Sequence, residues 1–169
     1  MNTAIIIFIG LQASGKSSFF RTYFASSHEL VSKDCFRNHK NPSQRQSYLI
    51  ETALKAGISV VVDNTNPTVA DRAPLIQLGR SYNAEIIGYY FESQIKACWE
   101  RNQQREGKAR VPDVGIYATL HKLTKPSYAE GFDKLFYVKI VGDGNFKVDR
   151  WQESEEIFSY NNNEDIDRP

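Results

Sequence analysis

The sequence holds few of the features that would tie it to a membrane, a metal cluster or a disulfide scaffold. None of its apolar runs approaches the roughly 20 residues that cross a bilayer. The apolar start, residues 4–9, has no basic segment before it and runs straight into a glycine loop. It therefore reads as a buried strand and not as a signal peptide. There are only two cysteines, Cys35 and Cys98, and neither has a C-x-x-C partner. Both are expected to be reduced thiols in a cytoplasmic protein. The three histidines, His28, His39 and His121, are too scattered for a zinc site. There is no internal repeat and no sign of a second domain.

Net charge is small too, at +1, but it is unevenly spread. Residues 151–169 carry six carboxylates and a single arginine, which leaves residues 1–150 at +6. A modestly basic body suits a protein that handles phosphates, whereas one that coats long duplexes would carry a larger basic excess. The expected organisation is one domain over 1–150 and an acidic, asparagine-rich tail over 151–169, with residues 161–169 expected to be disordered.

Apolar periodicity alternates strand and helix. Strands are expected over 5–9, 28–32, 58–62, 84–91 and 135–141. The helix after the glycine loop should bury Phe19, Phe20, Tyr23 and Phe24. Asn41-Pro42-Ser43-Gln44 is a helix start, with Asn41 as cap and Pro42 in the first turn. That helix should carry Tyr48, Leu49, Thr52, Ala53 and Ala56 on its apolar stripe and stop at Gly57. Asn66-Pro67 repeats the start signal, Ser93 should cap a helix carrying Cys98 and Asn102, and Asp113 should cap another. The fold class is α/β: a parallel sheet of about five strands flanked by helices.

Gly10-Leu11-Gln12-Ala13-Ser14-Gly15-Lys16-Ser17 matches G-x-x-x-x-G-K-[ST] between a strand and a helix, the context that a P-loop requires. Gly10, Gln12, Ala13, Ser14, Gly15, Lys16, Ser17 and Ser18 are the candidate nucleotide contacts. Lys16 should reach the β- and γ-phosphates of ATP, and Ser17 should ligate Mg²⁺. A GTPase would need a base-reading N-K-x-D, which is absent, and a motor ATPase is usually larger. A short chain with this loop favours a small kinase.

Three further segments carry chemistry. Asp34 follows the expected second strand, beyond whose carboxyl end a ligand would lie. It is a candidate base for an acceptor hydroxyl, or merely a turn aspartate. Asp63 and Asn64 end the third strand, where capping does not need them. Arg101, Arg105, Lys108 and Arg110 surround Gly107 and look like an arginine-rich lid over ATP, or else a solvated basic face. Arg101 and Arg105, four apart, are expected on one helix face.

Together these segments resemble the 5′-hydroxyl polynucleotide kinases. The resemblance runs from about residue 3 to residue 141. It is carried by 10–17, Asp34 with Arg37, Asp63-Asn64-Thr65-Asn66-Pro67, Arg101-x-x-x-Arg105 and Pro126-Ser127-Tyr128-Ala129-Glu130-Gly131-Phe132. It implies a P-loop kinase core that uses ATP and Mg²⁺ on nucleic-acid 5′ ends, RNA or DNA. It also implies Asp34 as general base and Arg37 on the phosphate to the 3′ side of the acceptor. Asp63 and Asn64 would form the acceptor pocket, and Arg101 and Arg105 would be lid residues on the ATP phosphates. Lys16, Asp34 and Arg101 would be the catalytic set. The phosphatase motif D-x-D-x-T found in some such enzymes is absent, so kinase without 3′-phosphatase activity is expected. Lys33, before Asp34, stands where relatives vary. A small-molecule or tRNA-linked hydroxyl, or a regulatory module that binds ATP without turnover, remain alternatives.

Overall fold

A computed structural model describes residues 2–153. Most of the expected tail, including 161–169, lies outside the described residues. Strand β1 (Ala4–Ile9) is followed by α1 (Lys16–Tyr23), β2 (Glu29–Val31), α2 (Pro42–Lys55), β3 (Val60–Val62) and α3 (Val69–Ser81). Then come β4 (Glu85–Phe91), α4 (Ile95–Gln103), α5 (Asp113–Lys122), β5 (Lys134–Ile140) and β6 (Phe146–Arg150). No described helix is long and apolar enough to cross a membrane.

Among the described residues the sheet has six strands in the order β2-β3-β1-β4-β5-β6. The first five run parallel, and β6 pairs antiparallel with β5 at the edge. The expectation of five strands missed β6, whose sequence alternates apolar Phe146 and Val148 with exposed charge. Half-polar alternation is what an edge strand shows, and the Gly142–Gly144 turn before it makes a hairpin.

Strand β1 is buried on both faces, which is why its run of isoleucines is unbroken. Ile5, Ile7 and Ile9 pack with Ile50 of α2 and Leu75 of α3 on one face. Ile6 and Phe8 pack with Phe19 and Phe20 of α1 on the other, where Phe8 meets Phe91 edge-on at 5.0 Å. Tyr23, expected in the core, is half exposed. On α2 the buried stripe is Gln46, Ile50, Ala53 and Leu54, and Tyr48 faces solvent. Gly79 lets α3 lie flat on the sheet, because a Cβ there would come within 2.3 Å of Ile86 and 2.7 Å of Ile5.

Three caps differ from expectation. Helix α3 begins after Thr68, whose hydroxyl accepts from Asp71 N while the Asp71 carboxylate accepts from Thr68 N. Asn66 is drawn away by a buried bond from its Nδ2 to the Phe8 carbonyl, 2.8 Å, and sits at φ +41°. Ser93 does not cap α4; its hydroxyl accepts from Leu11 N at 3.0 Å and supports the glycine loop. The cap position of α5 is Pro112, with Asp113 already inside the helix.

Candidate active site

The strands β2, β3 and β1 are neighbours, so their carboxyl ends deliver three segments to one place: the turn at 32–36, the turn at 63–66 and the loop at 10–17. Because β1 has β3 on one side and β4 on the other, the crevice forms where the strand order reverses, the usual ligand position in such sheets. A cleft of about 1030 Å³ opens there.

Loop 10–17 is shaped by its backbone. Gly15 has φ +101° and comes so close to the β5–β6 hairpin that a Cβ would meet Ile140 at 3.0 Å and Phe146 at 3.1 Å. Only glycine combines that dihedral with that contact. Ala13 also sits left-handed, at φ +60°. The loop is fixed from behind by Gly10 N donating to the Thr65 carbonyl at 3.0 Å. Arg101 Nε donates to the Ala13 carbonyl at 2.6 Å, and Gln12 Nε2 donates to Thr119 Oγ1 at 3.0 Å.

Lys16 is buried, and its Nζ donates to the carbonyls of Gly10 (3.1 Å) and Leu11 (2.6 Å). Burial pulls its pKa down to about 8, against the opposing pull of the Asp63 carboxylate. Ser17 Oγ donates to Asp63 Oδ2 at 2.7 Å. Burial pushes the Asp63 carboxyl upward, while Lys16 and the Ser17 hydroxyl pull it back. Ser17 and Asp63 offer hard oxygen donors side by side, the chemistry Mg²⁺ selects, with phosphate oxygens and water to complete an octahedron. The pair therefore fits a nucleotide-bound Mg²⁺.

Across the cleft, residues Lys33–Phe36 form a single 3-10 turn capped by Ser32, whose Oγ accepts from Asp34 N at 3.3 Å. The Asp34 side chain is 76% exposed and forms an ion pair with Arg37 at 3.0 Å. Arg37 also donates to the Lys108 carbonyl at 3.3 Å, touching the loop after α4. Asn64, expected to line an acceptor pocket, has both ends engaged: Oδ1 accepts from Lys33 N and Nδ2 donates to Gln46.

Lys16, Ser17, Asp34, Arg37, Asp63, Asn64 and Arg105 all line the cleft, as do Gln12, Ala13, Gly15 and Ser18. Arg101 is not among the lining residues and lies behind the loop, on Ala13. It parts from Arg105 because α4 ends at Gln103, so the two arginines do not share a helix face. The loop between α4 and α5 is pinned at its base by Asn102, which donates to the Val111 carbonyl and accepts from Val111 N. Six cations, Lys16, Arg21, Lys33, Arg37, Arg105 and Lys108, face two carboxylates, Asp34 and Asp63. That excess attracts polyanions. Gln46 and Thr119, which hold Asn64 and Gln12 from behind the cleft, were passed over by the sequence reading. The one available signal for Gln46 was a polar residue on an otherwise apolar helical stripe.

A family profile described as an AAA domain matches residues 5–126. A bifunctional polynucleotide phosphatase/kinase of Schizosaccharomyces pombe is 27% identical over 76% of this chain and 31% of its own length. An L-seryl-tRNA(Sec) kinase of Methanococcus maripaludis is 25% identical over 96% of this chain and 68% of its own. This chain thus spans about a third of the polynucleotide phosphatase/kinase. A fungal RNA kinase structure superposes with a TM-score of 0.62 at 14% identity, over 86% of this chain and 80% of that one. The last likeness shows a shared fold.

Proposed function

The chain belongs to the AAA domain family, and we propose that it is an ATP-dependent kinase acting on the 5′-hydroxyl end of a polynucleotide. The observation that carries this reading is the pairing, across one basic cleft, of a phosphate loop with an exposed carboxylate–arginine pair, Asp34 and Arg37. The likeness to a polynucleotide phosphatase/kinase supports the same substrate.

In this reading the γ-phosphate of ATP lies against Lys16 and the N-terminus of α1, where backbone N–H groups and the helix dipole favour anions. Mg²⁺ on Ser17 Oγ would offset negative charge on the transferring group. Asp34 takes the proton from the 5′-hydroxyl, and Arg37 turns from Asp34 to the phosphate on the 3′ side of the acceptor nucleotide. Arg105 adds charge from the lid side. Arg101 acts through the Ala13 carbonyl, holding the loop in its left-handed turn.

Incubation with Mg²⁺, γ-labelled ATP and short 5′-hydroxyl RNA and DNA strands tests the proposal. Label on the strand ends is the expected result, and the RNA-to-DNA ratio gives the preference. The match to an L-seryl-tRNA(Sec) kinase favours a second reading, a tRNA-linked hydroxyl as acceptor. Unlabelled oligonucleotides beside a labelled charged tRNA would select it.

A pH dependence follows from Lys16. The bound triphosphate stabilises the ammonium form, so binding takes up a proton once free Lys16 begins to lose its own, near pH 8. The contribution of Lys16 to ATP affinity is expected to be flat below pH 7 and to weaken by up to about tenfold per pH unit above 8. Calorimetry in buffers of different ionisation enthalpy would read the proton directly. Constant affinity from pH 7 to 9.5 would contradict the prediction.

A further inference from the structure

Gln46 is buried in α2 and does not line the cleft, yet it stands at the head of a hydrogen-bond chain that ends beside Asp34. The polarity of that chain is fixed. Lys33 N–H can only donate, so the Asn64 atom it meets at 3.0 Å is Oδ1. The other end of Asn64 is then the donor Nδ2, and the atom it meets at 2.6 Å is Gln46 Oε1. Gln46 thus orients Asn64, Asn64 holds Lys33 N, and Lys33 opens the single turn on which Asp34 is carried.

We propose that Gln46 is a positioning residue, which acts through Asn64 to hold the Lys33–Phe36 turn so that Asp34 faces the phosphate loop. The inference rests on the reading of Asp34 as the base. Asp34 needs such support, because its carboxylate is exposed and, among the described residues, meets only Arg37, itself half exposed. Its direction therefore depends on its backbone. The turn is too short to fix itself: Phe36 packs its far end against the core, but at the Lys33–Asp34 end its other ties are modest. Ser32 Oγ caps Asp34 N, and Lys33 Nζ reaches Ser43 Oγ at the exposed start of α2. Gln46 is different: Ile50, Ala53 and Leu54 anchor its helix to the core, so it gives the turn a rigid reference. A misplacement of about 1 Å can cost up to about 10²-fold in rate, enough for a buried amide without substrate contact to matter.

The test compares Gln46→Leu with Gln46→Glu. Leucine fills the space and offers no acceptor, whereas glutamate keeps an acceptor for Asn64 Nδ2. If Gln46 only packs, leucine is tolerated and a buried carboxylate is not. Positioning predicts the reverse. Gln46→Leu should lower kcat about tenfold with the KM for ATP unchanged, and Gln46→Glu should stay within about threefold of wild type. In the Asp34→Asn background, Gln46→Leu should cost nothing more, since it acts through Asp34. Wild-type kcat in Gln46→Leu, equal losses in both variants, or a loss that adds to Asp34→Asn would overturn the proposal. Hydrogen exchange at the Lys33 amide gives a readout without turnover: faster in Gln46→Leu than in Gln46→Glu if the relay holds, and equal if it does not. Should wild type label no strand, the kinase reading fails, and the exchange rates still decide the relay. If Gln46→Leu does not fold, Gln46→Met takes its place.

Discussion

Asp34→Asn is expected to lower the rate of phosphate transfer by about 10²–10⁴-fold while leaving ATP affinity within about twofold of wild type. Asparagine has nearly the shape of aspartate, and its amide oxygen can still accept from Arg37, so the exposed turn keeps its fold. What is lost is the lone pair that takes the hydroxyl proton. Among the influences on Lys16, the charge of Asp34 ranks last, behind burial and Asp63, so the nucleotide side is left almost untouched. Single-turnover transfer to a saturating 5′-hydroxyl strand measures the first effect, and equilibrium titration with ATP the second. Arg37→Ala is the informative companion. It should raise the KM for the strand more than it lowers kcat, because Arg37 is assigned to binding. Asp34→Asn that keeps more than a third of wild-type turnover would remove the carboxylate from the mechanism.

What was legible in the sequence was whatever depends on neighbours along the chain. The buried strand, glycine loop and helix at 4–23 are a local pattern, and so is the Asn41-Pro42 start of α2, where Asn41 Oδ1 does accept from Gln44 N. The start of α3 shows where local patterns compete. Asn66-Pro67 reads as a helix start, but the helix begins after Thr68, with Asp71 completing its capping box. Asn66 is claimed by the Phe8 carbonyl, 58 positions earlier. The same limit hid the relay from Gln46. Its partner Asn64 is 18 residues away, and nothing in either residue's neighbourhood announces the other. Arg101 and Arg105 failed in the opposite sense. Their spacing fits a helix, but α4 stops two residues short of Arg105, and one arginine turns to the loop while the other turns to the cleft. The segment 126–132 was legible only as a resemblance. Its physical content is the burial of Phe132, the left-handed Gly131 at φ +112° and, above all, the partner of Glu130.

That partner is Arg72, and it sets the largest expected effect on stability. Arg72 is fully buried in α3, and Glu130 is 7% exposed. The guanidinium grips the carboxylate with two bonds, Nε to Oε1 at 2.8 Å and Nη2 to Oε2 at 3.1 Å. Its remaining nitrogen, Nη1, donates to the carbonyls of Asn66 and Thr124, and Glu130 Oε2 also accepts from Ser127 N. One ion pair thus ties α3 to the turn that follows Asp63 and to the chain entering β5. Glu130→Gln should destabilise the protein by about 3–5 kcal/mol, since it leaves a buried guanidinium without its counter-charge and turns an amide N–H toward an N–H of Arg72. The melting temperature should fall by roughly 10–15 °C. Arg72→Met alone should cost a similar amount through the orphaned carboxylate and the two unpaired carbonyls. Arg72→Met with Glu130→Leu should cost clearly less than the sum of the singles, because no buried charge is left behind. Chemical denaturation of wild type, Arg72→Met, Glu130→Leu and the double variant closes the cycle. Strict additivity would mean that the two charges are solvated independently, and the pairing would then not be what holds α3 to the rim of the cleft.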